Sequence, residues 1–174
     1  MKKSLSLATL KKRALNIKLV LTDNDGVLTD TGVYYSERGE ELKRFSIRDG
    51  MGVERLRKAG VETAIITGEN SGSVKKRSEK LNMPFLYLGI SNKLAQLDGI
   101  LAETHLTIEQ LAYIGDDVND VKIMQAIGKV SLTACPSDAM PEARAAAHYR
   151  CKARGGNGAF RDFAEWILRL RGAR

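Results

Sequence analysis

The sequence predicts an α/β fold with a mainly parallel sheet and a β-hairpin inserted after the first strand. Three observations carry this. Short apolar runs alternate with stretches of helical periodicity along the chain. Four of those runs end in polar or acidic residues, where open α/β sheets bind ligands. One exception interrupts the alternation: a tyrosine-bearing segment that turns at a glycine and returns.

The first strand is Leu19-Val20-Leu21-Thr22, a run suited to burial on both faces. It ends in Asp23-Asn24-Asp25-Gly26. Side chains two apart share a face of an extended chain, so the two carboxylates lie together and repel unless a cation or a shared proton intervenes. Gly26 lets the backbone turn away sharply. The hairpin follows, with arms at 32–36 and 41–46 and a turn at 37–40. A helix is expected at 51–59, then the strand 61–66, which ends in Thr67 and Gly68. Next come a helix at 72–81, a strand at 85–88, and a helix at 93–103 opened by Lys93. The strand 111–114 runs into Gly115-Asp116-Asp117-Val118-Asn119-Asp120, and a helix is expected over 119–126. A last strand at 129–132 and helices at 138–147 and 160–170 complete the chain. Trp166 lies about one turn from Phe163 and Leu170, the spacing of a packing residue.

Each polar strand end has a plain structural explanation alone: Thr67 as a helix cap, Lys93 as a solvated lysine, the Asp116 cluster as a capped turn. Their joint occurrence at successive strand ends points instead to phosphate or metal chemistry.

Bulk properties limit the alternatives. A chain of 174 residues fits one domain over 1–174 and buries roughly 70% of its unfolded surface. Its apolar runs are too short to cross a membrane, and the stretch after Lys2 and Lys3 is broken by Lys11, Lys12 and Arg13, unlike a secretory signal. A cytoplasmic location is expected, with Cys135 and Cys151 as free thiols and no zinc spacing around His105 or His148. The net charge of +7 raises the question of nucleic acid. Much of the excess sits at the ends, in Lys2, Lys3, 11–13, Arg169, Arg171 and Arg174, with Lys75, Lys76, Arg77 and Lys80 on one helix. No aromatic residues interleave with these cations as a base-stacking platform requires, so a small anionic substrate is the better match.

The ordered set Asp23-Asn24-Asp25-Gly26, Thr67, Lys93 and Gly115-Asp116-Asp117-Val118-Asn119-Asp120 resembles the haloacid dehalogenase superfamily over nearly the whole chain. The resemblance implies a Rossmann-like three-layer fold. Many members insert a cap domain, and the gaps between these motifs leave no room for one. Arg48-Asp49-Gly50-Met51-Gly52, Thr67-Gly68-Glu69 and Arg154-Gly155-Gly156-Asn157-Gly158-Ala159-Phe160-Arg161 are similar to the capless branch acting on 3-deoxy-D-manno-octulosonate (KDO) 8-phosphate and on nine-carbon, sialic-acid-like 9-phosphates. That branch implies a homotetramer in which hairpins pair and a neighbouring subunit serves as cap.

By the same resemblance Asp23 is the nucleophile, Asp25 the general acid and base, and Thr67 with the Gly68 amide binds phosphoryl oxygens. Lys93 balances charge. Asp23, the Asp25 carbonyl and Asp116 form an all-oxygen set suited to Mg²⁺. Asp117 and Asp120 stand either as supports or as further ligands. Gly68, Asn119, Arg48, Glu69 and Arg154 are substrate-binding candidates, with the segment from Arg154 expected to reach a neighbour's site. Arg48-Asp49-Gly50 leans to the eight-carbon sugar, whereas Glu69 and Asn119-Asp120 lean to the nine-carbon one. A non-catalytic assembly module, like those fused to nucleotide-sugar synthetases, is the reading from a different class; the intact acidic set argues against it. A macromolecular phosphatase, which an open site would permit, is a third.

Overall fold

The computed structural model of the protein describes residues 5–172, so Lys2, Lys3 and Arg174 of the basic ends lie outside the described residues. Six strands form one sheet in the order β5-β4-β1-β6-β7-β8. They are β1 (Leu19–Thr22), β4 (Glu62–Ile66), β5 (Phe85–Tyr87), β6 (Leu111–Ile114), β7 (Leu132–Cys135) and β8 (Tyr149–Arg150), and every adjacent pair is parallel. β2 (Tyr34–Ser36) and β3 (Gly39–Leu42) form the separate antiparallel hairpin.

Alternation along the strands sorts side chains into two cores. Val20, Ile65, Ala112, Ile114, Leu132 and Ala134 face one core; Leu19, Leu21, Ala64, Ile66, Leu111 and Tyr113 face the other. The first is covered by α1 (Leu7–Asn16), α2 (Ile47–Lys58), α3 (Gly72–Lys80) and α7 (Ala159–Leu170). The second is covered by α4 (Leu97–Thr104), α5 (Val118–Gly128) and α6 (Pro141–Ala146). This is the expected three-layer arrangement. The chain runs outward from β1 through β4 to β5, then crosses back to β6, so β1 lies at the switch point where such sheets open a crevice.

Several boundaries differ from the sequence reading, each for a local reason. α2 starts at Ile47, earlier than expected, because Ser46 caps it through the amides of Arg48 and Asp49. Its glycines disguise it in sequence but serve packing: a Cβ on Gly52 would lie 3.0 Å from Arg161 Cα of α7. Lys93 does not open a helix. The Asn92 side chain accepts from Ala95 N at 3.2 Å in a turn, and α4 begins only at Leu97. β7 starts at Leu132 because α5 continues to Gly128, where Arg13 donates to the carbonyls of Gly128 and Ser131 at 3.1 and 2.8 Å. α6 starts at Pro141, whose ring suits a first helical position.

α1 and β8 had no clear sequence signal. α1 buries only Ala14 and is tied down by Arg171, which donates to Ala14 and Ile17 carbonyls at 2.8 and 3.1 Å. Trp166 packs as expected, stacked on Tyr149 with centroids 4.6 Å apart. Cys135 and Cys151 are free and buried in opposite cores. No helix among the described residues is long and apolar enough to cross a membrane.

Candidate active site

Three strand ends bring the chemistry together. Asp23 follows β1, Thr67 follows β4 and Asp116 follows β6, and the register pairs Thr22 with Ile65 on one side and Ile114 on the other. The three side chains therefore meet over the switch point. They line a pocket of about 310 Å³ with Asp25, Thr31, Gly68, Glu69, Asp117, Val118 and Asn119.

Asp23 is 4% exposed. Its Oδ1 accepts from the Asn24 amide and from Lys93 Nζ, both at 2.8 Å. Lys93 is buried and also reaches Asp120 Oδ1 at 2.6 Å. Burial works against its charge, but Asp23 and Asp120 more than offset that and raise its pKa, so it is an ammonium.

Asp120 is tied to several neighbours at once. Its Oδ1 also accepts from Tyr113 Oη at 2.6 Å, and its Oδ2 accepts from the amides of Asp116 and Asp117 at 2.8 and 3.4 Å. Both oxygens are committed, so Asp120 anchors Lys93 and the loop. Asp117 caps α5, accepting from the Val118 amide at 2.6 Å. Asp116 differs from both: its Oδ1 is buried without a hydrogen-bond partner.

Ligand atoms of Asp23, Asp116 and Asp120 lie within 4.8 Å of one another. Burial first, then Asp120, pushes Asp23 well above the carboxylate range; burial first, then Asp23, does the same to Asp116. One lysine among three buried carboxylates leaves excess negative charge. A hard dication held by Asp23 and the free Asp116 Oδ1 fits both the charge and the oxygen donors.

Backbone geometry forces the close approach. Gly26 has φ +85°, and a Cβ there would overlap the Asp116 carboxylate. A Cβ on Gly155 would overlap the Gly26 carbonyl, and Gly156 N donates to Val27 O at 2.9 Å. The glycines near the C-terminus thus seat on the Asp23 loop of their own chain.

The predicted residues Asp23, Asp25, Thr67, Gly68, Glu69, Asp116, Asp117 and Asn119 all line the pocket, and the buried Lys93 and Asp120 are linked to it through Asp23. Thr67 Oγ1 accepts from Glu69 N at 3.3 Å. Arg48 and Arg154 do not line it. Arg48 is exposed in the first turn of α2. Arg154, with its side chain 74% exposed, is held 3.0 Å from Asp138.

Sequence reasoning missed Lys43, Tyr113, Thr31 and Val118. Lys43 was one cation among many in the second arm of the hairpin, yet its side chain is 1% exposed and meets Asp25 Oδ1 at 2.6 Å.

No protein-family model matches the chain. The 3-deoxy-D-manno-octulosonate 8-phosphate phosphatase KdsC of Yersinia pestis is 40% identical over 157 residues, covering 90% of this chain and 82% of the relative. A solved probable YrbI-family phosphatase from Pseudomonas syringae pv. phaseolica superposes with a TM-score of 0.88 at 41% identity, covering 95% of this chain and 92% of that one. A Moraxella catarrhalis 3-deoxy-D-manno-octulosonate 8-phosphate phosphatase, solved with a magnesium ion, a phosphate ion and a KDO molecule, superposes with a TM-score of 0.88 at 32% identity, covering 96% and 94% of the two chains. With such likeness across nearly its whole length, and an acidic pocket at the strand ends suited to phosphate, this chain is a phosphoric monoester hydrolase and belongs to the KDO 8-phosphate phosphatase (KdsC) family of the haloacid dehalogenase superfamily.

Proposed function

We propose that the protein hydrolyses KDO 8-phosphate with Mg²⁺, through a phosphoryl group carried transiently on Asp23. The observation that carries this reading is the Asp23–Lys93–Asp120 chain of contacts beside Asp116, with a pocket-lining Asp25 two residues from the nucleophile. The names of the relatives support the substrate.

Asp23 attacks phosphorus with its second carboxylate oxygen while Lys93 holds Oδ1. A bound Mg²⁺ supplies charge neutralisation between the carboxylates and the phosphoryl oxygens. Asp23, Asp116 and the Asp25 carbonyl are its ligands in this reading. Asp25 protonates the leaving alkoxide and then takes a proton from the hydrolytic water. Thr67 and the Gly68 amide bind the phosphoryl oxygens.

Glu69 on the pocket wall is the observation favouring the second reading, a nine-carbon keto-sugar acid 9-phosphate. Assay with Mg²⁺ of both sugar phosphates, alongside Asp23→Asn, tests the proposal. Faster turnover of KDO 8-phosphate, lost in the variant, is expected. Preference for the nine-carbon ester would overturn the substrate, and an active variant would overturn the nucleophile.

The homotetramer belongs to the same proposal. Tyr34, Tyr35 and Leu42 of the hairpin are 61%, 71% and 63% exposed, and an isolated hairpin is marginal in water. Pairing between hairpins would cover this surface.

A further inference from the structure

Asp25 is held from an unexpected direction. Lys43 Nζ at 2.6 Å and Asn24 Nδ2 at 3.0 Å both donate to its Oδ1, and the single Thr29 Oγ1 proton is shared between that oxygen and the Asn24 carbonyl, each at 3.3 Å. Among the described residues no hydrogen bond is made to Oδ2, and Asp25 lines the pocket. Lys43 stands just beyond β3, so this contact comes from the hairpin rather than from the sheet. It is itself fixed. Its Nζ lies 3.1 Å from Glu40 Oε2, and Glu40 Oε1 accepts from Ser71 Oγ at 3.0 Å at the start of α3.

A buried ammonium is costly unless paired, and here two carboxylates pair it. The arrangement constrains Asp25 strongly. With Oδ1 held by Lys43 and Asn24, the carboxylate plane is set and the second oxygen is left for the reacting groups. The nucleophile Asp23 is oriented by Lys93 and the sheet. Its acid-base partner is oriented by Lys43 and the hairpin.

We propose that Lys43 is a positioning residue for the reaction: it holds Asp25 Oδ1 so that Oδ2 is the atom presented to the leaving oxygen. The inference rests on Asp25 being the general acid of the reading above. It follows that removing Lys43 harms most those esters whose leaving group needs a proton. A well-positioned acid contributes roughly 10²- to 10⁴-fold with basic leaving groups and little with good ones.

The test uses the full chain with Mg²⁺ and compares wild type, Lys43→Met and Lys43→Arg. Substrates are KDO 8-phosphate and a series of aryl phosphates from p-nitrophenyl to p-methoxyphenyl. The readout is kcat/KM, which reports steps through leaving-group departure and is blind to later dephosphorylation. The Met variant is expected to lose about 10²-fold on KDO 8-phosphate, with aryl losses that shrink as the phenolate becomes a better leaving group. Lys43→Arg restores part of the loss. An equal loss on every ester makes Lys43 merely structural and overturns the proposal, as does no loss at all. A loss confined to the sugar ester, sparing the whole aryl series, makes Lys43 a sugar contact and also overturns it. If the Met variant does not fold, Asn24→Leu removes another Oδ1 donor and must show the same graded pattern. Wild type inactive on all these esters would instead sink the phosphatase reading.

Discussion

The carboxyl edge of the sheet and the β2–β3 hairpin hold the two aspartates of the Asp23-Asn24-Asp25 motif in opposite ways. At the sheet edge the loops follow strands whose residues are buried, and their polar groups are committed to each other: Asp23 to Lys93, Lys93 to Asp120, Asp120 to Tyr113. In the hairpin Tyr34, Tyr35 and Leu42 face outward, and the arm is joined to the body by Phe45 packing on the first core and by ionic links, Lys43 to Asp25 and Arg44 to Asp30. The edge is fixed by its own core. The hairpin is fixed by what it grips, and it grips the second aspartate.

The largest effect that would sharpen this contrast is at the edge. Asp23→Asn should lower kcat by ~10³-fold or more, the scale of losing a nucleophile. The melting temperature should hold or rise, because a buried charge is removed. Retained turnover in a preparation free of deamidated protein would break the assignment.

Gly26→Ala comes next. The positive φ and the overlap with Asp116 together should cost ~1–3 kcal/mol and most activity, read by denaturant unfolding and assay. A neutral result would show that the edge yields as readily as the hairpin.

The third test is the pH dependence of stability without metal. Asp23 and Asp116 have pKa values raised by burial to about 7 and about 8. A raised carboxylate contributes stability that is full below the ordinary range near 4 and lost as pH climbs through the folded value. Chelated protein should therefore melt progressively lower between about pH 4 and 8. Added Mg²⁺ should raise the melting temperature more at pH 8 than at pH 5.5, because the carboxylates must be ionised to bind it. A metal effect that does not grow with pH would break the picture of an over-charged acidic edge.

For the hairpin, Tyr35→Lys should shift the light-scattering mass of the proposed tetramer towards a species of about 19 kDa while barely changing the unfolding of the fold itself. A wild type that is already monomeric at micromolar concentration would overturn that assembly. Arg154→Ala is the smallest change. An exposed ion pair should be worth less than about 1 kcal/mol, and kcat/KM should not move. A large loss specific to the sugar ester would return Arg154 to the site, supplied from a neighbouring chain.

The sequence was legible where burial and chemistry coincide. The runs ending in Asp23, Thr67 and Asp116 are apolar because they are central strands, and each ends where the crevice must lie. Elements held by tertiary contacts were not legible. α1 depends on Arg171 reaching back from the other end of the chain, and β8 has only two residues. At the site, Lys93 was found as a residue but misplaced as a helix opener, since its role is set by Asp120 rather than by a helix. Lys43 could not be told from a solvated lysine, because the signal was the position of Asp25 in space. Arg154 was read as a carboxylate-binding cation beside glycines; within this chain it pairs with Asp138, and the glycines make the close seat on Gly26.

That seat bears on the order in which the protein is made. Gly156 bonds to Val27, so the loop carrying both aspartates receives its final support from a segment synthesised after every strand of the sheet. β1 can pair with β4 early, but β6 and then the Gly155–Gly156 segment must arrive before the carboxylates are pressed together. The repulsion built into the site is therefore deferred. A nascent chain assembles its sheet first and takes on the electrostatic burden of Asp23, Asp116 and Asp120 only when Lys93 and the closing glycines are already available.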